Sequence, residues 1–324
     1  MTRKLNIGID IGGTKIKYGI VSSSGKILTS GMLSSGKSSG RSGVLRNLKK
    51  GIDSLQVFSK QRKLKINSIG IGVPGTVDIP KGQLVGIPPN LPFMADFSLR
   101  KYLSRFYTYP VYVDNDANVM ALAEYKFGAA KGYENCICIT LGTGIGSGII
   151  LNGKLFRGFS FVGPEFGHTT ICYEGIKCNC GNYGCVEMYA SEPAMLKRAK
   201  ELLKKNRVSL LYEFSQGNPN RLKAKDLFKA EKLRDKVAHK VIQETAYYLG
   251  TALSSVVNLI NPEIIVIGGG VALSANANFF KMMEKEIKAR AFPAATKNLK
   301  IVQAELGNDA GFIGASILGE ELRD

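Results

Sequence analysis

The chain has 324 residues, 44 Lys/Arg against 26 Asp/Glu, a formal net charge of +18, 44% hydrophobic residues and 37 glycines. That apolar content excludes a disordered chain, and the lack of a G-X-Y period excludes collagen. No run of 18 apolar residues predicts a membrane span, and a chain this long predicts about two domains.

In chain order, β-rich alternation predicts strands at 5–11, 15–21 and 26–33, with a Gly-Gly turn between the first two. Apolar spacing predicts a helix over 44–61, and a buried strand at 66–73 stops at Pro74-Gly75. A short strand at 111–113 runs into Asp-Asn-Asp-Ala-Asn, where a helix over 117–127 begins. Strands at 135–141 and 147–151 flank a glycine loop, and residues 165–187, rich in Cys and Gly, carry little regular pattern. Helices follow at 192–205, 225–230 and 235–259, then a buried strand at 264–267 that ends in three glycines. A helix at 276–290, a strand at 299–304 and a small-residue helix at 309–322 close the sequence.

One unit occurs twice. GIDIGGTKIKYGIV (8–21) and ITLGTGIGSGIIL (139–151) both read as strand, glycine turn, strand, which suggests two related α/β domains. Glycine in such turns lets backbone N–H groups approach phosphate oxygens. Asp10 stands at the head of the first turn, and a carboxylate beside a phosphate cradle suits Mg²⁺. Two other nucleotide signatures fit less well. GTGIGSG (142–148) spaces its glycines every second residue and is followed by a strand, unlike a dinucleotide-binding turn. GMLSSGKS (31–38) matches a P-loop letter by letter, but Gly40 and Gly43 oppose the helix that a P-loop needs, so a flexible loop is expected there.

Cys178, Cys180 and Cys185 lie in CNCGNYGC, with His168 ten residues before the first. Three thiolates and an imidazole form a closed tetrahedral zinc set. Cys136 and Cys138 alternate on an apolar strand and read as buried thiols, Cys172 has no assigned role, and His239 reads as a surface residue. Asp114, Asn115 and Asp116 sit where a strand meets a helix; Asp and Asn are also ordinary N-caps. A zinc site folding the 165–187 loop would bring Glu165, His168 and Glu187 together, a set able to accept hydrogen bonds from sugar-like hydroxyls.

DIGGTK (10–15), GVPGTVD (72–78), NDAN (115–118), LGTGIGSG (141–148), ExGH (165–168) and CxCGxxGCxE (178–187) occur in that order. Over essentially its whole length the chain resembles the repressor, open reading frame and kinase (ROK) group of sugar kinases, and within it the bacterial glucokinases. The resemblance implies an actin-like ATPase (ribonuclease H-like) fold, with two α/β domains around a central cleft: a smaller one over 1–116, completed by the C-terminal helix 309–324, and a larger one over 117–308 carrying the zinc loop. It implies ATP-dependent phosphorylation of a hexose, usually at the 6-hydroxyl, with Mg²⁺ and structural Zn²⁺. By the family pattern Asp116 is the catalytic base, and Asn90, Asn115, Asp116, Glu165, His168 and Glu187 bind sugar. Gly12, Gly13, Thr14, Lys15, Gly142, Thr143 and Gly144 form the phosphate loops, Gly268, Gly269 and Gly270 the adenosine region, and Asp10 the Mg²⁺ position. His168, Cys178, Cys180 and Cys185 bind zinc. Pro164, where glycine is commoner, and Phe93, where Trp is often found, bear on sugar choice. Mannose, fructose, N-acetylglucosamine or N-acetylmannosamine are alternative acceptors, polyphosphate an alternative donor, and a non-catalytic sugar-sensing regulator the alternative of another class.

The group's DNA-binding members carry an extension before the first motif, which here begins at Asp10; no nucleic-acid or membrane partner is expected. The expected partners are a hexose and ATP, the location the cytoplasm, and the assembly a homodimer or homotetramer. The charge agrees with that. Residues 1–70 hold 14 Lys/Arg against 2 Asp/Glu, whereas 71–196, which carry the acids and the zinc ligands, hold 9 against 10. The excess therefore reads as surface property, with at most a salt-screened attraction for ATP.

Overall fold

A computed structural model describes residues 4–322; residues 323–324 of the expected closing segment lie outside them. The chain forms two compact units. The first holds the residues up to Gly132, Gly148–Pro164 and the segment from Glu305; the second holds Tyr133–Ser147 and Glu165–Ala304.

In the first unit, strand Leu5–Ile11 pairs antiparallel with Lys15–Ser22, with Asp10 opposite Lys17, and parallel with Ile66–Val73. Ile66–Val73 pairs in turn with Val111–Asn115, again in parallel, and Ile27–Ser34 forms the antiparallel edge. Strands buried on both faces need continuous apolar runs, and Ile7, Ile9, Ile69 and Ile71 are fully buried. Helix Ala310–Glu321 is apolar all round because it is buried all round, packing on Leu5–Ile11, Ile66–Val73 and helix Asp116–Phe127. Its approach is close enough to require glycine. A Cβ on Gly8 or Gly70 would lie 1.8 or 1.7 Å from the Phe312 or Ala315 carbonyl oxygen.

Helix Asp116–Phe127 belongs to this unit, so the unit extends past residue 116. Helix Gly40–Gln61 starts earlier than patterning predicts. A 3₁₀ turn at Lys37–Ser39 leads directly into it, so the segment expected as a flexible loop is ordered. Gly43 is a fitting residue rather than a breaker: a Cβ there would meet the Gly36 carbonyl oxygen at 2.2 Å. The strand before this helix is the antiparallel edge, not the parallel strand that feeds a P-loop.

In the second unit, strand Ile264–Gly268 pairs in parallel with both Cys136–Leu141 and Lys300–Gln303. Helix Lys236–Ile260 packs on Ala277–Arg290, Glu192–Leu203 and Ala224–Lys232. Cys136 and Cys138 are buried, and His239 is exposed, 3.4 Å from Glu231. Among the described residues no helix is long and apolar enough to cross a membrane.

Candidate functional site

In the first unit the chemistry gathers around two turns. The Gly12 N–H donates to the Lys15 carbonyl at 2.9 Å, closing the first glycine turn, with Thr14 and Lys15 exposed. The Ser35 N–H donates to the Thr14 carbonyl at 2.8 Å and the Ser35 hydroxyl to the Gly13 carbonyl at 3.2 Å, so the residues after the edge strand brace this turn. Asn90, exposed, stands against it: a Cβ on Gly13 would be 3.1 Å from the Asn90 Cβ. Asp10 precedes the turn, packed beside Gly311, where a Cβ would meet its Oδ2 at 2.6 Å. Burial pushes the Asp10 carboxyl up to about 6, against the opposing charge of Lys17.

The second turn carries Asp116. Asn115 caps helix Asp116–Phe127, its Oδ1 accepting the Ala117 and Asn118 N–H groups at 2.8 and 3.2 Å. Its Nδ2 donates to the Gly75 carbonyl at 3.1 Å. Asp116 Oδ1 also accepts the Ala117 N–H, at 2.9 Å. The N-cap expectation is therefore met by Asn115, and the Asp116 side chain lies half-buried in the first turn of the helix.

In the second unit the predicted cysteine–histidine set comes together. One ligand atom from each of His168, Cys178, Cys180 and Cys185 lies within 4.8 Å of the others. His168 Nδ1 faces Cys178 Sγ at 3.7 Å, and Cys180 and Cys185 Sγ are 3.7 Å apart. Short backbone bonds hold the loop, Cys178 N–H to the Asn182 carbonyl at 2.8 Å and Gly181 N–H to the Cys178 carbonyl at 3.0 Å. Gly184 is required: its φ is +71°, and a Cβ would lie 1.7 Å from the Cys172 carbonyl oxygen. Cys172 itself is exposed and outside the set.

The acids predicted beside this loop are close enough to feel each other. Although much of Glu165 is exposed, partial burial raises its pKa; His168 opposes that, and the like charge of Glu187 reinforces it. The Phe166 N–H donates to the Ser147 hydroxyl at 3.2 Å, and Gly167 sits where a Cβ would meet the Ile145 carbonyl oxygen at 2.1 Å. The ExGH stretch thus lies on the strand that follows the second glycine turn. In that turn the Gly142 N–H donates to the Gly144 carbonyl at 3.0 Å, one residue tighter than the Gly12 turn, with Thr143 exposed. Gly268 ends its strand, and Gly269 (φ +89°) approaches Leu141, where a Cβ would lie 2.5 Å from the carbonyl oxygen; Gly270 is exposed. The second glycine turn and the 268–270 glycines are thereby brought together.

Sequence patterning did not single out Lys17, Ser35, Ser147 or Arg157, and it marked Asp114 only together with Asn115 and Asp116 as a polar cluster where a strand meets a helix. Lys17 had a signal, since an antiparallel turn places it across from Asp10. The others act through bonds to distant segments that no local pattern marks.

The ROK family model matches residues 6–321. The chain is 35% identical over 319 residues to a glucokinase of Halalkalibacterium halodurans, covering 98% of this chain and 96% of that one. It is similar to the crystal structure of a ROK family glucokinase from Streptomyces griseus in complex with glucose and AMPPNP, at 32% identity and a TM-score of 0.84, covering 97% and 98% of the two chains. It also resembles a ROK family transcriptional regulator homologous to the E. coli MLC protein, at 27% identity and a TM-score of 0.87, covering 98% of this chain and 78% of the regulator. Two mixed α/β sheets, each with a glycine turn, are the actin-like ATPase fold of these neighbours, and the chain belongs to the ROK family.

Proposed function

We propose that this chain is an ATP-dependent glucokinase of the cytoplasm, transferring the γ-phosphoryl group of ATP to the 6-hydroxyl of glucose. The family assignment makes it a sugar kinase acting on a hydroxyl. The observation that supports glucose and ATP is near-full-length similarity to glucokinases, one of them in complex with glucose and AMPPNP.

Phosphoryl transfer asks a protein mainly for positioning and charge neutralisation. Asp116 takes the proton of the attacking hydroxyl as its oxygen bonds to the γ-phosphorus, and the bond to the bridging oxygen breaks to release ADP. The turns at 12–15 and 142–144 hold the phosphates through backbone N–H groups, and residues 268–270 border the adenosine. Asp10 is the residue to hold Mg²⁺, which supplies neutralisation of phosphate charge. Asn90, Asn115, Glu165, His168 and Glu187 bind sugar hydroxyls. The Cys₃His donor set fits a tetrahedral zinc site whose contribution is to fold the loop and orient the His168 ring.

The test is a coupled assay with ATP or polyphosphate across glucose, mannose, fructose, N-acetylglucosamine and N-acetylmannosamine. Glucose with ATP is expected to give the highest kcat/KM; a stronger preference for another pair replaces this reading. Asp116→Asn is expected to cut kcat by about 10²–10⁴-fold while glucose still binds. The likeness to the regulator favours one other reading, a sugar-responsive regulator; glucose binding without turnover on any donor would establish it.

A further inference from the structure

Asp114 is fully buried, two residues before Asp116. Its Oδ1 accepts the Asn115 N–H at 2.7 Å and Asn118 Nδ2 at 2.9 Å. Its Oδ2 accepts Arg157 Nε at 2.8 Å, an ion pair in which the arginine side chain is only 12% exposed. Among the described residues Arg157 Nη2 is buried without a hydrogen-bond partner.

This is a poor device for stability. A buried pair about breaks even against apolar side chains, and an unsatisfied buried donor adds a cost. Its effect is on geometry. Asp114 ties the residue before the helix to Asn118 in its first turn. Asn115 caps that same turn, and the Ala117 N–H it holds is shared with the Asp116 carboxylate. The placement of Asp116 therefore depends on the placement of residues 114–118, and Arg157 is the cation that lets an ionised Asp114 remain there.

We propose that Arg157 is a positioning residue for phosphoryl transfer: its ion pair with Asp114 fixes the capped turn that presents Asp116 to the sugar hydroxyl. The inference rests on the reading of Asp116 as the base. Without the guanidinium, the buried Asp114 carboxylate loses its counter-charge and the contact that ties it to residue 157. The turn it holds is then free to shift, and a displacement of about 1 Å at a reacting group costs about 10²-fold in rate. Of the residues read as binding sugar, Asn90, Glu165, His168 and Glu187 lie outside this turn and only Asn115 within it, so the loss falls mainly on kcat. Only Nε is used and Nη2 is idle, so a lysine ammonium can substitute for the charge.

The experiment measures kcat and KM for glucose and ATP, with thermal melting by circular dichroism, on the full chain and its variants. Arg157→Met is expected to lower kcat by about 10- to 100-fold with both KM values within about threefold. Arg157→Lys is expected to recover most of kcat. If Arg157→Met does not fold, the double variant D114N/R157M takes its place. It leaves no charge buried alone, and is expected to fold with kcat still about tenfold or more below wild type, because the amide oxygen keeps the two bonds made to Oδ1 while the tie to residue 157 that fixes the turn is gone. A folded variant lacking the guanidinium with kcat within about twofold of wild type, or a loss confined to KM, overturns the proposal. Asp116→Asn is measured alongside. If it keeps near-wild-type kcat, the base reading falls and this inference with it. If it is inactive while Arg157→Met turns over normally, only the inference falls.

Discussion

The Glu187 carboxylate accepts the Ile145 N–H at 2.9 Å, joining the start of helix Glu187–Ala190 to the end of the second glycine turn. Cys185 lies two residues earlier, so the cysteine loop and the glycine turn are coupled through one carboxylate.

Gly144 tests that coupling. A Cβ there would lie 2.6 Å from the same Glu187 oxygen. The carboxylate is the far end of a flexible side chain, so it can swing aside and Gly144→Ala should fold, with a melting temperature lowered by about 3–10 °C. The bond to Ile145 is the casualty. Losing a hydrogen bond to a charged group is worth about 1.5–3 kcal/mol, so the ATP KM is expected to rise about tenfold or more. ATP titration at saturating glucose measures it; an unchanged KM in a folded variant would show that the turn does not depend on Glu187.

The Cys₃His set predicts one zinc per chain by elemental analysis of the purified protein. Metal binding at such sites is coupled to folding, worth about 10–16 kcal/mol in isolated zinc-finger peptides. Chelation, or Cys185→Ser, is expected to lower the melting temperature by more than about 10 °C and to abolish activity, because Glu165, His168 and Glu187 sit on or beside the loop. Adding zinc back should restore the chelated protein but not the serine variant. A metal-free protein of full activity would refute the assignment.

Asp10 should show opposite effects on stability and activity. Its carboxyl ordinarily titrates near 3.8 and is pushed up to about 6 by burial. The folded chain therefore binds a proton that the unfolded chain has released between those values, and stability falls as pH rises from about 4 to about 6. Above about 6 the cost of the buried charge is complete, at about 1–3 kcal/mol. In the absence of Mg²⁺, Asp10→Asn should therefore be more stable than wild type at pH 7.5, with the gain fading toward pH 4, while its kcat/KM for ATP falls. Urea unfolding across that pH range measures it. A gain independent of pH would mean that burial of the charge is not the cause.

Much of this was readable in advance, for reasons that also mark the limits. The strand at 66–73 has the same boundaries in prediction and structure because Ile66 and the run 69–73 lie between a Lys/Arg-rich stretch and Pro74-Gly75, which leaves little choice. The hairpin of Thr76–Asp78 and Gln83–Val85 and the strand Lys154–Phe156 are three residues long and carry no periodicity to read. The helix from Gly40 was hidden because glycine is a helix breaker by propensity, while Gly43 is demanded by contact with Gly36. In the site, the metal ligands were legible because few residue types bind zinc. The Asp114–Arg157 pair was not, since common residues joined across 43 positions leave no local trace.

Glu124 closes the same helix that Asp116 opens. It is fully buried, and its carboxylate accepts three backbone N–H groups, from Ala129 at 2.9 Å, Glu305 at 3.1 Å and Leu306 at 2.9 Å. The last two belong to the segment that leads into helix Ala310–Glu321, so one side chain joins the end of helix Asp116–Phe127 to the closing helix of the unit. Glu124→Gln keeps the shape but turns an NH₂ group toward donors that need an acceptor. At least one N–H is left buried and unpaired, at about 1–3 kcal/mol, in addition to the weaker bonds that a neutral oxygen makes. We expect a loss of about 2–4 kcal/mol in urea unfolding, with KM for glucose and ATP unchanged in the folded fraction. A loss below about 0.5 kcal/mol would place this carboxylate among ordinary surface acids, and a change in KM would tie the helix end to substrate binding.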